Sequence, residues 1–269
     1  MVNRRYDSNP VWFENLSHGQ PPALRLFCFP YAGGSAQTFR SWRRHFPPEV
    51  DLCLVHLPGR GERFGERPFT RMRPLIDTIA YHVERELRYP FGFYGHSMGA
   101  LISFELAREL RRRHGIEPVQ LFLSGRSAPH VRSAKPATFD LADDEFIVKL
   151  RELNGTPQEL LEDAEIMEVL LPILRADFEV VETYEYQPEA CLSCPITVYG
   201  GIQDKEVPVG DLREWKEHSP APFKVRLFPG DHFFIHASSV RFLEVLRLDI
   251  SDSLRNLAGG LKSPPTGSA

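Results

Sequence analysis

The segment FGFYGHSMGA, Phe91 to Ala100, sets one serine between two glycines, Gly95-His96-Ser97-Met98-Gly99, directly after a run of strand-forming aromatics. Paired glycines are needed where strand and helix backbones approach so closely that only hydrogen fits between them. A serine at such a strand-to-helix turn is held in a strained conformation, with its hydroxyl projecting from the sheet. A helix starting at Met98 would aim free backbone N–H groups, and the positive end of its dipole, at an anion formed there. An ordinary glycine-rich turn has the same composition. The difference lies in whether the rest of the chain supplies a base and an acid.

A serine hydroxyl attacks only when a base takes its proton, and the base must be oriented by a third group. With this kind of serine turn, the acid and then the histidine follow in chain order. Three histidines come late: His218, His232 and His236. His232, in FPGDHFFIH, follows the strand-like KVRLF and is the expected base. His218, in LREWKEHSP, reads as a solvated residue of a polar helix. His236 stands four residues after His232, a helical ligand spacing, but no glutamate adjoins the first histidine as zinc chemistry of that type requires. Asp204, in PITVYGGIQDKEVP, follows a strand and is the expected acid. Glu206 and Asp211 lie further from the strand end. Asp231 would point away from its neighbouring imidazole and reads as a turn or cap residue. Two backbone donors should face the oxyanion. Met98 is expected to give one, and the loop FPYAGGSAQTF the other, through Ala32 with Tyr31 as the competitor.

The elements that must position these groups alternate. ALRLFCFP (Ala23–Pro30), VDLCLVHLP (Val50–Pro58), PFGFYGH, VQLFLSG, PITVYGG and FKVRLFPG read as apolar strands. Between the early ones lie QTFRSWRRHF, PLIDTIAYHVERELR and MGALISFELARELRRRHG, with helical spacing and a Gly115 stop. Near-continuous apolar strands alternating with helices indicate an α/β fold, a mostly parallel sheet with helices on both faces. The alternation breaks near Pro129. From Asp140, a plausible cap, to Tyr186 the chain reads as helices alone, with Ile166, Val169, Leu170, Ile173, Leu174 and Phe178 on one apolar stripe. Such an insertion, about residues 130–187, is expected to form a helical lid over the sheet's carboxyl edge, where ligands bind in open α/β sheets. A final helix is expected from Ser238 to Leu254. The expected organisation is one domain over residues 1–255 with a disordered tail over 256–269. The first sixteen residues read as a loosely held lead-in.

The 269 residues are 42% hydrophobic and 25% charged, with a formal net charge of −4. That balance argues against a nucleic-acid partner, which usually meets a basic surplus. The start, MVNRRYDSNP, shows no secretory signal, and no apolar run approaches the roughly 18 residues of a membrane helix. Cys28 and Cys53 lie in strand-like runs as buried thiols, and Cys191-x-x-Cys194 lacks a second pair. A cytoplasmic protein with no metal and no cofactor is expected.

FPYAGGSAQTF, LPGRGERFGE, GHSMGA, GGIQDKEVP and PGDHFFIH, in this order, resemble the type II thioesterases. These are stand-alone α/β hydrolases that accompany polyketide and nonribosomal peptide synthases and are related to the medium-chain thioesterase of fatty-acid synthesis. The resemblance spans about Ala23 to Leu254. It implies the α/β-hydrolase fold, a Ser97–Asp204–His232 triad, and Ala32 and Met98 as oxyanion donors. It also implies removal of aberrant acyl groups from the phosphopantetheine arms of acyl or peptidyl carrier proteins. A monomer is expected. A carboxylesterase or lipase acting on small free esters would share the same attack and is the alternative. A hydrolase-fold binding protein would lack a triad member, and all three are present. The run Arg111–Arg113 suits the negative end of its helix, with contact to an acidic carrier protein as the other reading.

Overall fold

The structure is a computed structural model that describes residues 11–16, 21–131 and 135–260. Among them, seven strands form one sheet: β1 (Phe13–Asn15), β2 (Leu24–Phe29), β3 (Val50–Val55), β4 (Phe91–His96), β5 (Leu121–Ser124), β6 (Ile196–Gly201) and β7 (Phe223–Phe228). Their order is β1-β3-β2-β4-β5-β6-β7, parallel throughout except that β1 pairs antiparallel with β3. Every residue of β2 to β6 is buried, because helices cover both faces. Alternation along β2 sends Phe27 and Phe29 to one core with Phe93, Leu121 and Val198, and Leu24, Leu26 and Cys28 to the other with Tyr94, Phe122 and Tyr199.

The helices are α1 (Gln37–Arg40), α2 (Met72–Val83), α3 (Met98–His114), α4 (Asp143–Leu153), α5 (Gln158–Leu161), α6 (Ala164–Glu182), α7 (Val209–Arg213), α8 (Phe234–Ala237) and α9 (Ser239–Gly260). Helices α2 and α3 contribute to the first core, and Phe242, Leu246 and Ile250 of α9 to the second. Helices α4 to α6 stand between β5 and β6, with a separate cluster of Phe146, Leu150, Leu161, Met167 and Leu174. The strand order turns back between β2 and β4: the chain runs outward from β2 to β3, then returns to lay β4 on the other side of β2. The carboxyl ends of these two neighbours therefore open a crevice at a topological switch point.

Several expectations need correction. The lead-in holds β1, a three-residue edge strand, and just before it Trp12 is buried and stacks on His82 beneath the Arg63 guanidinium. So short a strand carries almost no periodicity. Helix α4 begins at Asp143 without a side-chain cap, so Asp140 does not cap it. Helix α6 is capped by Asp163, which accepts from the N–H groups of Glu165 and Ile166. On α6, Ile173 and Leu174 are buried, but Ile166 and Val169 are exposed, and the buried face is completed by Met167, Ala176, Asp177 and Val180. Helix α9 runs to Gly260, past the expected tail boundary, because Leu254 and Leu257 extend the spacing of Leu246 and Ile250; residues 261–269 lie outside the described residues. Cys28, Cys53 and Cys194 are buried, Cys191 is exposed, and all four are free thiols.

The arginines at the end of α3 are engaged within the chain. Arg111 meets Glu117 and Glu189, Arg112 meets Glu109 and Glu189, and Arg113 meets Glu109 and Asp77. Gly115 ends the helix at φ 66°. His218 is not solvated: it is buried among Phe104, Trp215 and Tyr186, and its Nε2 shares a 2.8 Å hydrogen bond with His130 Nδ1. A 3-10 turn over Glu214–His218 buries it along with Trp215, a placement that polar composition concealed. Burial, helped by the nearby charges of His130 and Arg108, pushes its pKa from 6.5 down to about 4. The unfolded chain therefore takes up this proton below about pH 6.5, while the folded chain resists until about pH 4. Stability present above pH 6.5 falls as pH drops through that window. Thermal unfolding followed by circular dichroism should show this slope in the wild type and a flatter one in His218→Gln.

Candidate active site

Ser97 sits at the turn from β4 into α3 with φ 52° and ψ −112°. Outside glycine, a positive φ combined with this ψ is strained, and it persists only where neighbours enforce it. The enforcement is visible. Ser97 N–H donates to the Ser124 carbonyl at 2.7 Å, and the Ser97 carbonyl accepts from Ala100 N–H at 3.0 Å. A β-carbon on Gly95 would lie 2.0 Å from the Gly99 carbonyl oxygen, and one on Gly99 would lie 2.1 Å from that of Phe29. Both glycines are therefore where β4, α3 and the end of β2 touch through backbone alone, as the spacing predicted.

Past the end of β2, Gly34 N–H donates to the Tyr31 carbonyl at 2.9 Å, and Gly33 has φ 77°. This is a type II turn, with Ala32 at the first central position and glycine at the second, where positive φ is required. The turn's hydrogen bond does not use Ala32 N–H. Register places Phe29 opposite Gly95, so this turn and Ser97 leave adjacent strands side by side. Met98 N–H belongs to the first turn of α3 and has no intrahelical partner.

His232 and Asp204 meet directly, Nδ1 to Oδ2 at 2.8 Å, with the Asp204 side chain only 1% exposed and that of His232 11%. Asp204 Oδ1 accepts from the N–H groups of Glu206 and Val207 at 2.8 and 3.1 Å, so the carboxylate is fixed by its own loop before it meets the imidazole. The loops after β6 and β7 are pressed together: a β-carbon on Gly201 would lie 2.2 Å from the Asp231 carbonyl oxygen. Asp231 behaves as a turn residue, Oδ1 accepting from Phe233 N–H at 2.9 Å and Oδ2 from Asn154 Nδ2 at 3.0 Å. Across the crevice, the ring of His232 lies 5.2 Å from that of His96, the residue before Ser97.

His96 is completely buried, and its Nδ1 shares a 2.9 Å hydrogen bond with Ser124 Oγ. Burial first, then the neighbouring His232 and His236, hold its pKa well below the usual imidazole value, which keeps a second positive charge out of the site. His236 contacts Tyr31, Nε2 to the hydroxyl at 3.2 Å, and burial lowers its pKa as well. Sequence reasoning passed over Arg60 and Asp177. Arg60 lies within the glycine-rich loop after β3, and Asp177 interrupts the apolar face of α6 four residues after Ile173. A lone acid on an apolar stripe was the available signal. Both are buried and form a bidentate pair, Nη1 to Oδ2 and Nη2 to Oδ1, the latter at 2.8 Å.

Helices α4 to α6 reach the rim of this crevice. A β-carbon on Gly33 would lie 2.4 Å from Leu174 Cδ2, and one on Gly155 would lie 2.3 Å from Phe233 Cζ. A cleft of about 500 Å³ between them is lined by Tyr31, Arg151, Thr156, Gln158, Leu161 and His236.

Residues 24–248 match the thioesterase domain family. The chain belongs to this family. Gramicidin S biosynthesis protein GrsT of Aneurinibacillus migulanus is 45% identical over 87% of this chain and 92% of its own length. The RedJ thioesterase from the prodiginine pathway of Streptomyces coelicolor superposes with a TM-score of 0.80 at 36% identity, covering 86% of this chain and 93% of RedJ. The type II thioesterase BorB from the borrelidin cluster superposes with a TM-score of 0.81 at 32% identity, covering 90% and 97% of the two chains. Fold and family thus agree: this is an α/β-hydrolase-fold thioesterase, similar to the type II enzymes.

The elbow geometry yields a stability test. Gly99→Ala should destabilise the protein by about 2 kcal/mol or more through backbone overpacking, a fall in Tm of roughly 5 °C. Gly65→Ala, whose β-carbon would meet nothing within 4 Å, should leave Tm unchanged.

Proposed function

We propose that this thioesterase removes acyl groups from the phosphopantetheine arms of acyl or peptidyl carrier proteins, freeing stalled synthases, through an acyl-enzyme formed on Ser97. What supports the reading is the strained Ser97 turn together with a histidine, its ring 5.2 Å from that of the neighbouring His96, already held by a side chain that is almost wholly buried, Asp204. Ser97 Oγ attacks the thioester carbonyl as His232 Nε2 takes its proton. Asp204 keeps the proton on Nδ1 and stabilises the imidazolium. The N–H groups of Ala32 and Met98 receive the oxyanion. When the tetrahedral adduct collapses, the C–S bond breaks and His232 returns the proton to the departing thiolate. Water then attacks the acyl-Ser97 ester, giving its proton to His232. The second collapse releases the carboxylic acid and restores the Ser97 hydroxyl.

Helices α4 to α6 serve as the lid in this reading. Their placement over the Gly33 turn and Phe233 supports it, as does the adjoining cleft of about 500 Å³. The names of similar proteins, drawn from gramicidin S, prodiginine and borrelidin biosynthesis, support carrier-bound substrates.

Two expected outcomes test this. A panel of acyl-carrier thioesters of graded chain length should be hydrolysed far faster than the matching free esters, and Ser97→Ala should abolish both turnover and labelling by a fluorophosphonate. A Ser97→Ala protein that retains near-wild-type turnover would end the mechanism. Asp204→Asn still presents an acceptor to the Glu206 and Val207 amides, so it should fold normally, yet lose roughly 10³–10⁴ in kcat as His232 adopts the wrong tautomer.

A further inference from the structure

We infer that Asp177, with Arg60, is a positioning residue for the oxyanion turn, so that helix α6 of the insertion holds one wall of the reacting site in place. This rests on the proposed roles of Ser97 and Ala32. The Asp177 carboxylate, 3% exposed, accepts from Gly33 N–H at 2.7 Å through Oδ2 while Arg60 grips both of its oxygens. Arg60 is itself anchored, Nε and Nη2 each donating to the Pro58 carbonyl at 3.2 Å.

The geometry explains what this bond controls. Gly33 N–H belongs to the central peptide of the type II turn, the one joining Ala32 to Gly33. Types I and II differ by a flip of that peptide. A flip would turn the Ala32 carbonyl toward the space the Gly33 N–H now fills, against the Asp177 carboxylate. Repulsion between two acceptors opposes this, so the carboxylate fixes the peptide that leaves Ala32 and with it the setting of the residue whose N–H meets the oxyanion. Leu174, three residues earlier on the same helix, presses on Gly33 and closes the other direction of movement. A carboxylate so near a developing negative charge would by itself oppose it. The Arg60 guanidinium offsets that charge, so the acceptor is available without an uncompensated anion beside the site.

The role predicts an effect on turnover rather than on binding. Asp177→Asn sets an amide against either Arg60 or Gly33 N–H, and should lower kcat by about 10–100-fold with KM nearly unchanged, the pattern for an interaction realised in the transition state. Affinity for an alkylboronic acid, whose adduct with Ser97 carries a tetrahedral anionic centre, should fall in parallel with kcat. Should Asp177→Asn fail to fold, the apolar double variant Arg60→Met with Asp177→Leu removes both buried charges together and leaves Gly33 N–H without its acceptor; it should show the same loss. Glu179→Gln breaks a different tether of α6, to Arg71, and should leave kcat unchanged. Folded Asp177 variants with wild-type kcat and boronate affinity, or a loss confined to KM, would overturn the inference while leaving the Ser97 reading intact. Wild-type protein that neither turns over carrier thioesters nor labels at Ser97 would overturn both.

Discussion

Backbone contact at one point sets the terms for the rest of the molecule. Gly95, Gly99 and the carbonyl of Phe29 approach within distances that exclude any side chain, and Ser97 is forced to φ 52° as a consequence. Strain of this kind is of the order of 1–3 kcal/mol, so it must be held by structure that is itself hard to deform. The holders are the fully buried strands β2, β4 and β5, with cores on both faces. Placing the strained residue between the centre of the sheet and a long, deeply buried helix α3 is what allows a single hydroxyl to stand out from a rigid support.

From that point the proposed catalytic groups are brought together by strand ends rather than by sequence neighbours. The turn after β2, the elbow after β4, the acid loop after β6 and the histidine loop after β7 all emerge at the carboxyl edge. Because β2 and β4 are adjacent but lead to opposite sides of the sheet, their loops part instead of covering the crevice. The acid and histidine loops come from the neighbouring pair β6 and β7, in register from Ile196–Phe223 to Gly201–Phe228, so their 2.8 Å contact is set by ladder hydrogen bonds as much as by the side chains themselves.

Much of this was legible in the sequence because it depends on local rules. Near-continuous apolar runs marked β2 to β6, paired glycines marked the elbow, and Asp204 and His232 stood shortly after strand ends among several competing acids and histidines. What was not legible depends on tertiary choice. Three residues cannot announce β1. His218 lies in a polar segment, yet the turn carrying it rolls inward to pack Trp215, which takes the imidazole with it. Ile166 and Val169 fit the helical stripe but lie on the side of α6 that meets neither the insertion's own cluster nor the body, whereas Asp177 lies on the side that meets both. Periodicity identifies an amphipathic helix; it does not say which edge of the stripe the partner will choose, nor that a charge on it has a buried cation waiting.

The way the inserted helices are joined to the body follows from the same division. Their apolar residues cluster largely among themselves, and much of their attachment to the sheet domain is polar and directional: Asp177 to Arg60 and Gly33, Asn154 to Asp231, Glu179 to Arg71. Apolar contact tolerates sliding, since its energy depends on area rather than direction, whereas hydrogen bonds weaken steeply when misaligned. An insertion held by such bonds can vary its interior without losing its register on the body. Two of the three attachments fall on the turn after β2 and on the loop carrying His232, so in the proposed mechanism the insertion is joined to both walls of the reacting site.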